Sequence, residues 1–443
     1  MIESLLDLKT LFQNITETFG RQISAAALGL VTIAIIARVY GPEGNGILAV
    51  ALLLPSMLST FLNLGIAPAN VYYLGSSQIT PRQLLAANLR IFLPLTTLGL
   101  GIGTAVLVWK AKNFFPSIAP TVLWLALATF PLGLLNSFLL SIFQGLQQFR
   151  PFNLIAIASP LVFLAILIGL TIGGNQQIAL LVGAQVISQL IVLFITIKLL
   201  SPLLLGHDES NKKAENFIKK TLSYGWKAHL SNILAFVNYK ADIFIANLFL
   251  GPSAVGVYVI AVAIAEKLWL ISQAVSTVLL PRLSQLTTEE EKRKRLTPLV
   301  CRWVLITTFI AALVLAILGG YIISLIFGPH FDDALLPLWI LLPGIVLTSA
   351  SRILANDIAA RGRPELNMYT SLIVVIVNVV GNIVLIPTYG LPGAAAATTI
   401  AYTLNIAFRL FIYGRLTGNQ WIDSVFPQQS DFRMIRSATH RRT

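Results

Sequence analysis

The chain has 443 residues, of which 56% are hydrophobic and only 11% are charged. Soluble globular proteins carry about 25% charged residues, so this composition and the mean hydropathy of +0.80 exclude an ordinary soluble domain and indicate a polytopic membrane protein. The net charge is +13, and the single cysteine, Cys301, excludes an internal disulfide.

The N-terminal stretch before Gln22 is polar and amphipathic and contains Glu3, Asp7 and Glu17. A secretory signal peptide has a basic start and a small-residue cleavage site, and neither is present here. We therefore expect a retained, short interfacial helix at the start of the chain.

Hydropathy then predicts an all-α chain of about twelve transmembrane helices, each near the roughly 20 residues that cross about 30 Å of hydrocarbon. The apolar runs lack the polar–apolar alternation of β-barrel strands. In chain order they are Gln22–Val39, Gly46–Ala69, Leu84–Trp109, Pro120–Phe143, Phe152–Ile172, Gln177–Leu200, Gly225–Leu250, Ala254–Leu279, Val300–Phe327, Leu335–Ala359, Leu366–Ile386 and Gly393–Leu416.

A repeated motif indicates two similar halves. The frame Gly-Pro-x-x-x-Gly occurs at Gly41–Gly46, between the first two spans, and again at Gly251–Gly256, between spans seven and eight. An Arg-Pro pair at Arg150 and another at Arg363 follow spans four and ten with nearly the same offset. Gly-Pro and Arg-Pro pairs are also common in loops, but their matched offsets favour a true repeat.

This repeat predicts two six-helix lobes of parallel topology, related by a pseudo-two-fold axis along the membrane normal. The expected domains are an N-terminal lobe over residues 1–206, a cytoplasmic hinge loop over 207–224, a C-terminal lobe over 225–418 and a basic cytoplasmic tail over 419–443.

The positive charges predict the orientation, because lysine and arginine concentrate on the cytoplasmic side of a bacterial-type inner membrane. One set of loops, together with the tail, holds most of them: Arg82, Arg150, Lys212, Lys213, Lys219, Lys220, Arg282, Lys292, Arg293, Lys294, Arg295, Arg361, Arg363, Arg433, Arg436, Arg441 and Arg442. Both termini are therefore expected in the cytoplasm. Topology and attraction to anionic lipids account for the net charge, so no nucleic-acid partner is expected.

Ionisable residues within the spans are the best functional candidates, because burying them is costly unless they face water or a partner. Lys240 and Asp242 lie in span seven and point about 200° apart around a helix, so they cannot pair along one face. Glu266 and Lys267 lie in span eight. Bridges from Lys240 to Glu266 or from Asp242 to Lys267 are an equally open, purely structural alternative.

Further charges lie nearer the cytoplasmic ends. Arg302 and Arg409 are expected to snorkel to the interface, whereas Arg90 and Arg352 lie deeper and fit a cavity; Asp357 is an acid in span ten. Because cations outnumber acids in this set, the cavity would attract an anionic solute such as a phosphate or pyrophosphate.

Neither a Walker loop, a His-Glu-x-x-His motif nor a Cys-x-x-Cys pair occurs in the sequence. The chain is therefore not expected to be an enzyme or to need a cofactor or metal. Transport would be driven by an ion gradient, the membrane potential or the substrate gradient.

A longer pattern resembles a known family. It comprises Arg38–Gly46 in the first half, and Lys240–Phe244, the second Gly-Pro motif with Tyr258, then Ala261, Glu266, Leu268 and Pro281–Ser284 in the second. These residues resemble the polysaccharide transporter (Wzx-like O-antigen flippase) family of the multidrug/oligosaccharidyl-lipid/polysaccharide flippase superfamily, over essentially all the spans.

The resemblance implies a V-shaped transporter of two six-helix lobes that moves an undecaprenyl-pyrophosphate-linked oligosaccharide across the cytoplasmic membrane for O-antigen or exopolysaccharide synthesis. The cationic set Arg90, Lys240, Lys267 and Arg352 would then hold the pyrophosphate. Asp242, Glu266 and Asp357 are the candidates for Na⁺ or H⁺ coupling, with Asp242 first.

Two alternatives remain. A drug–cation antiporter of the same superfamily typically has an acidic residue in its first helix, but Gln22–Val39 contains none. Within the same superfamily a lipid II flippase is more similar than the antiporter, but it would usually have two further helices, which the hydropathy does not show. The second alternative is a non-transporting membrane partner of a polysaccharide polymerase, in which the central charges would be paired and the cavity closed.

Overall fold

The computed structural model describes residues 2–204, 212–286, 289–426 and 428, and within these ranges every regular element is helical. The α-helices are α1 (Ile2–Ala51), α2 (Leu53–Leu62), α3 (Ile66–Gly75), α4 (Pro81–Phe114), α5 (Pro120–Leu127), α6 (Thr129–Gly145), α7 (Phe149–Ile172), α8 (Ile178–Leu200), α9 (Lys212–Ala265), α10 (Trp269–Gln285), α11 (Glu290–Ile326), α12 (Leu335–Ala360), α13 (Pro364–Thr417) and α14 (Trp421–Val425). Short 3₁₀ helices cover Ser201–Leu204, Glu266–Leu268 and Pro329–Ala334.

Three of the long helices are kinked at a glycine. Gly41 in α1 has φ 67° and ψ −172°, and Gly251 in α9 has nearly the same angles, φ 79° and ψ 177°. Only glycine adopts this region readily, and the proline that follows each one begins the next helical segment without needing its missing N–H. A third kink, at Gly390 in α13, has φ 63° and ψ −139°. The two Gly-Pro motifs are therefore turns of the same geometry.

By length and composition, nine helical segments of the described chain could cross a membrane. The three segments that contain the kinks span 41, 52 and 54 residues, long enough for two crossings each at 1.5 Å per residue. The prediction of an all-α, multi-pass membrane protein is confirmed. The number of twelve spans, the internal repeat and the cytoplasmic termini stay predictions.

The chain forms two compact units, Met1–Val259 and Ile260–Thr443. In the first unit, a core of buried side chains from α4, α6, α7 and α8 includes Leu84, Phe143, Ile155 and Val192. Helix α4 begins where the sequence predicts, because Pro81 is its first residue and the flanking Thr80 and Gln83 bond reciprocally in a capping box.

In the second unit, α10, α11, α12 and α13 share a core that includes Leu283, Cys301, Ile353 and Tyr413. Gly344 on α12 lets that helix approach α13 closely, since a Cβ there would lie 2.9 Å from the Thr399 Cα. The predicted division at a 207–224 hinge stays a prediction. Residues 207–211 of that region, and all of the predicted tail after residue 426 except 428, lie outside the described residues.

Candidate functional site

The two Gly-Pro-x-x-x-Gly motifs, which are far apart in sequence, contact each other within the first unit. The Asn45 Nδ2 atom donates a hydrogen bond to the Gly256 carbonyl oxygen at 2.8 Å. A Cβ atom on Gly46 would collide with the Pro252 carbonyl oxygen, and one on Gly256 would collide with the Pro42 carbonyl oxygen. The contact is reciprocal, as expected of a pair related by a two-fold axis.

The charged pair on α9 separates as the helical spacing predicts. Lys240 is exposed, whereas Asp242 is 4% exposed. The Asp242 carboxylate accepts a hydrogen bond from the Tyr258 Oη at 2.8 Å and one from the Ile243 backbone N–H at 2.7 Å. Both partners lie in the first unit, so the second Gly-Pro motif, which ends just before Tyr258, is tied directly to the buried acid.

The remaining candidates are distributed over both units. Arg90 is exposed on α4 of the first unit. In the second unit, half-buried Glu266 and Lys267 occupy a 3₁₀ turn that interrupts predicted span eight between α9 and α10. Short 3₁₀ pieces within a helix often mark hinges. The guanidinium of half-buried Arg352 lies 5.8 Å from the centre of the Trp269 ring, a cation–π distance.

Asp357 is held in a dense ionic cluster between α11 and α12. Its carboxylate accepts hydrogen bonds from the Arg293 Nε at 3.0 Å, the Thr297 Oγ1 at 2.5 Å and the Arg361 Nε at 2.6 Å. Arg361 also reaches Glu290 at 2.7 Å, and Asp357 is fully buried. We call these five residues the α11–α12 clamp. These contacts form an ion-pair network that joins the two helices, as expected of a structural role. The coupling role of Asp357 stays a prediction.

The two arginines expected to snorkel bond to the protein in the structure. Arg302 is 4% exposed and donates to the Asp423 carbonyl oxygen. Arg409 donates to the carbonyl oxygen and the hydroxyl of Ser351, both at 3.1 Å. Hydrophobicity alone could not predict these contacts, because they depend on which helices pack together.

Neutral polar groups were not among the predicted site residues, because the prediction depended on charged side chains. Asn378 and Asn382 are fully buried one turn apart on α13; Asn378 donates to Thr398 at 3.3 Å, and Asn382 donates to the Asn378 side chain at 3.1 Å. An asparagine within an apolar run is the sequence feature that could have identified them, because a polar side chain at membrane depth requires a partner or water. Within the described residues, no cluster of His, Cys, Asp and Glu could hold a metal ion.

The structure therefore brings Asp242 and Tyr258 into contact in the first unit, and Arg352 onto Trp269 in the second. The cationic set and the coupling acids stay predictions.

Comparison with known proteins gives curated relatives with glycan-related names. The chain is 28% identical over 194 residues to the probable low-salt glycan biosynthesis flippase Agl15 of Haloferax volcanii, covering 42% of this chain and 40% of that protein. It is 29% identical over 177 residues to the capsular polysaccharide biosynthesis protein CapF of Staphylococcus aureus, covering 39% and 44%. The chain thus spans less than half the length of these relatives. Neither is named as an enzyme, in agreement with the sequence-based expectation.

Solved structures share the fold at low identity. A lipid II flippase MurJ in an inward closed conformation matches with a TM-score of 0.72 and 16% identity, over 89% of this chain and 87% of that one. An inward-facing multidrug resistance MATE family transporter of the MOP superfamily matches with a TM-score of 0.66 and 15% identity, over 88% and 94%. At this identity the similarity establishes the fold alone.

The model of one family covers most of the chain. It is described as polysaccharide biosynthesis protein and matches residues 11–287, from the N-terminal helix through α10. This match spans well over half of the sequence and includes both Gly-Pro motifs and the Lys240–Asp242 pair. The chain therefore belongs to the polysaccharide biosynthesis protein family.

Proposed function

We propose that this protein is a flippase that moves a polyprenyl-pyrophosphate-linked oligosaccharide from the cytoplasmic to the outer leaflet of the cytoplasmic membrane, for cell-surface polysaccharide synthesis. The observation that carries the proposal is the exposure of Lys240 within a membrane-spanning helix. Lys240 lies about three turns from Gly251, roughly 16 Å along α9 and near the middle of a hydrocarbon core about 30 Å thick. A cation exposed at that depth has to face water or an anionic ligand, not lipid.

The proposed mechanism is alternating access by the two six-helix lobes. The reciprocal contact of the Gly-Pro motifs supports it, because the predicted topology puts both motifs on the external side, where their contact would close the pathway. Arg90, Lys267 and Arg352 would join Lys240 in holding the pyrophosphate while the lipid tail stays in the bilayer. Guanidinium groups suit this role because they bind phosphate oxygens in pairs.

Ion coupling is proposed at Asp242. Its carboxylate is buried and hydrogen-bonded to Tyr258, so a change in its protonation or in a bound Na⁺ would act directly on the helix that begins at the second Gly-Pro turn. The proposed substrate is named by its class, a lipid-linked oligosaccharide. A polysaccharide polymerase is proposed as a further partner.

The test replaces Lys240 or Arg352 by alanine in cells that make a surface glycan. We expect glycan display to fall at least about 10-fold at unchanged protein level, since each variant loses a charge-assisted contact to the substrate. Lys240→Arg should retain most display. Arg415→Ala is the control, because Arg415 also stacks on an aromatic ring, Phe411, but lies in the last turn of α13. Unchanged display in both alanine variants would refute the cationic-cavity mechanism.

A drug–cation antiporter is the second candidate, because the fold is shared with MATE transporters. The first predicted span lacks an acid, which disfavours it. Drug sensitivity of a deletion strain separates the two candidates: increased sensitivity with normal glycan display would favour the antiporter.

A further inference from the structure

A helix break inside predicted span two, near its cytoplasmic end, borders a polar pocket in the first unit. Helix α2 ends at Leu62 and α3 begins at Ile66, with Leu64 at φ 49° and Gly65 at φ 70° between them. A non-glycine residue with positive φ is strained and usually reflects a functional or structural requirement. Irregular backbone at membrane depth occurs only where it is buried in protein or lines a wet cavity.

The break is fixed by close packing against the N-terminal part of α9. A Cβ atom on Gly65 would collide with the Gly225 carbonyl oxygen, so both backbones approach within a distance that only glycine allows. The rings of Phe61 and Phe236 also meet edge to face, with their centres 6.1 Å apart. The α2–α3 break is therefore held in place and not a frayed end.

The pocket beside the break has a volume of about 440 Å³, within the range of small-molecule sites. All its polar lining groups are neutral hydroxyls or amides. They and the adjacent aromatic ring belong to Ser59, Thr60, Asn63, Ser137, Asn232 and Phe236. Cationic side chains are common partners of phosphate groups, and the pocket lining contains none.

The polar side chains of this pocket make few hydrogen bonds with residues that the structure describes. The Asn63 Nδ2 atom donates to the Ser137 Oγ at 3.2 Å, but the Asn63 Oδ1 atom is buried and accepts no hydrogen bond from any residue that the structure describes. Asn232 is exposed to the same space on α9. Neutral groups that both donate and accept, next to an aromatic ring, match the hydroxyl and acetamido groups of a sugar.

The pocket is aligned with the cation on the same helix. Asn232, Phe236 and Lys240 follow at i, i+4 and i+8 on α9, so they project from one side of it. Asn232 and Lys240 are about 12 Å apart along the axis, with Asn232 toward the predicted cytoplasmic end. This spacing allows one ligand to place a pyrophosphate at Lys240 and its first sugars at the pocket.

We infer that this pocket is the sugar subsite of the flippase and binds the first sugars of the lipid-linked oligosaccharide through neutral hydrogen bonds. The inference rests on the proposed function, and it adds the part of the substrate that the cationic set does not recognise. The residues that carry it are Asn63, Ser137 and Asn232.

The test measures binding of three short-chain prenyl pyrophosphates to the purified full chain in lipid nanodiscs: one without sugar, one carrying glucose and one carrying N-acetylglucosamine. We expect at least one sugar-bearing probe to bind about 10-fold more tightly than the sugarless probe. Asn63→Ala, Ser137→Ala and Asn232→Ala should each remove most of this advantage while leaving the affinity for the sugarless probe unchanged.

The controls separate the subsite from the proposed function. Lys240→Ala should weaken all three probes equally, and Thr97→Ala, on α4 outside the pocket, should change none. Because Asn232 is exposed, its variant should fold normally even if Asn63→Ala does not. If wild-type protein binds all probes equally, or the pocket variants keep the sugar advantage, the subsite is wrong while the function stands. If no probe binds wild-type protein above empty nanodiscs, the proposed function and the subsite both fail.

Discussion

Gly46 and Gly256 occupy positions where any side chain would meet a backbone carbonyl of the other Gly-Pro motif. A backbone carbonyl cannot rotate away as a flexible side chain can, so an added methyl group has to push the two helices apart. The carbonyl oxygen of each motif excludes a side chain from the other motif, which explains why glycine occupies the same position in both. At the residue scale, this contact is the most sensitive point of the proposed external closure.

We therefore predict that Gly46→Ala and Gly256→Ala each destabilise this contact by about 1–3 kcal/mol, the usual cost of overpacking. The double variant should cost less than the sum, because one separation relieves both clashes. Spin labels at positions 43 and 253 would show longer and broader distances.

Gly101→Ala is the matched control, since a Cβ there meets nothing within 4 Å in α4. It should leave the distances unchanged and raise helix stability slightly. An unaltered distance distribution in both motif variants would show that the glycines are not needed for the contact.

At the scale of the helices, α11 and α12 are joined by the α11–α12 clamp. Asp357 and Arg293 are 0% and 3% exposed, so removing one partner leaves the other charge buried without compensation. We predict that Asp357→Ala lowers the free energy of unfolding by about 3–5 kcal/mol, measured as a fall in Tm. Glu365→Ala, which removes an exposed ion pair with Arg363, should cost less than about 1 kcal/mol.

Variants of the α11–α12 clamp distinguish a structural role of Asp357 from a role in ion coupling. If Asp357 is structural, pairing Asp357→Leu with Arg293→Met should restore much of the stability, because an apolar pair avoids the buried charge. Normal stability of Asp357→Asn together with loss of glycan display would instead assign Asp357 to coupling.

At the scale of the whole molecule, the sequence predicted most of the helical layout. Apolar length located the segments, and the two Gly-Pro motifs located two of the three kinks, because proline and glycine act on the local backbone. The α2–α3 break and the 3₁₀ turn at Glu266 were not predicted, since each lies inside a predicted span and depends on packing between helices.

The candidate site was predictable to a smaller degree. Helical spacing correctly separated Lys240 from Asp242, because that relation depends only on residues two positions apart. The bond from Tyr258 to Asp242, the partners of Asp357 and the pocket at Asn63 depend on packing between helices, which no local pattern encodes.

The proposed function requires that the protein move a lipid-linked sugar across a bilayer. The most direct measurement reconstitutes the full protein into liposomes that contain an N-acetylglucosaminyl-pyrophosphoryl-prenol, and follows access of an impermeant sugar-modifying enzyme to it. We expect wild-type protein to expose the inner-leaflet pool over time, whereas Lys240→Ala liposomes should behave like protein-free liposomes. Modification confined to the outer leaflet in wild-type liposomes, with the protein folded and correctly inserted, would contradict it.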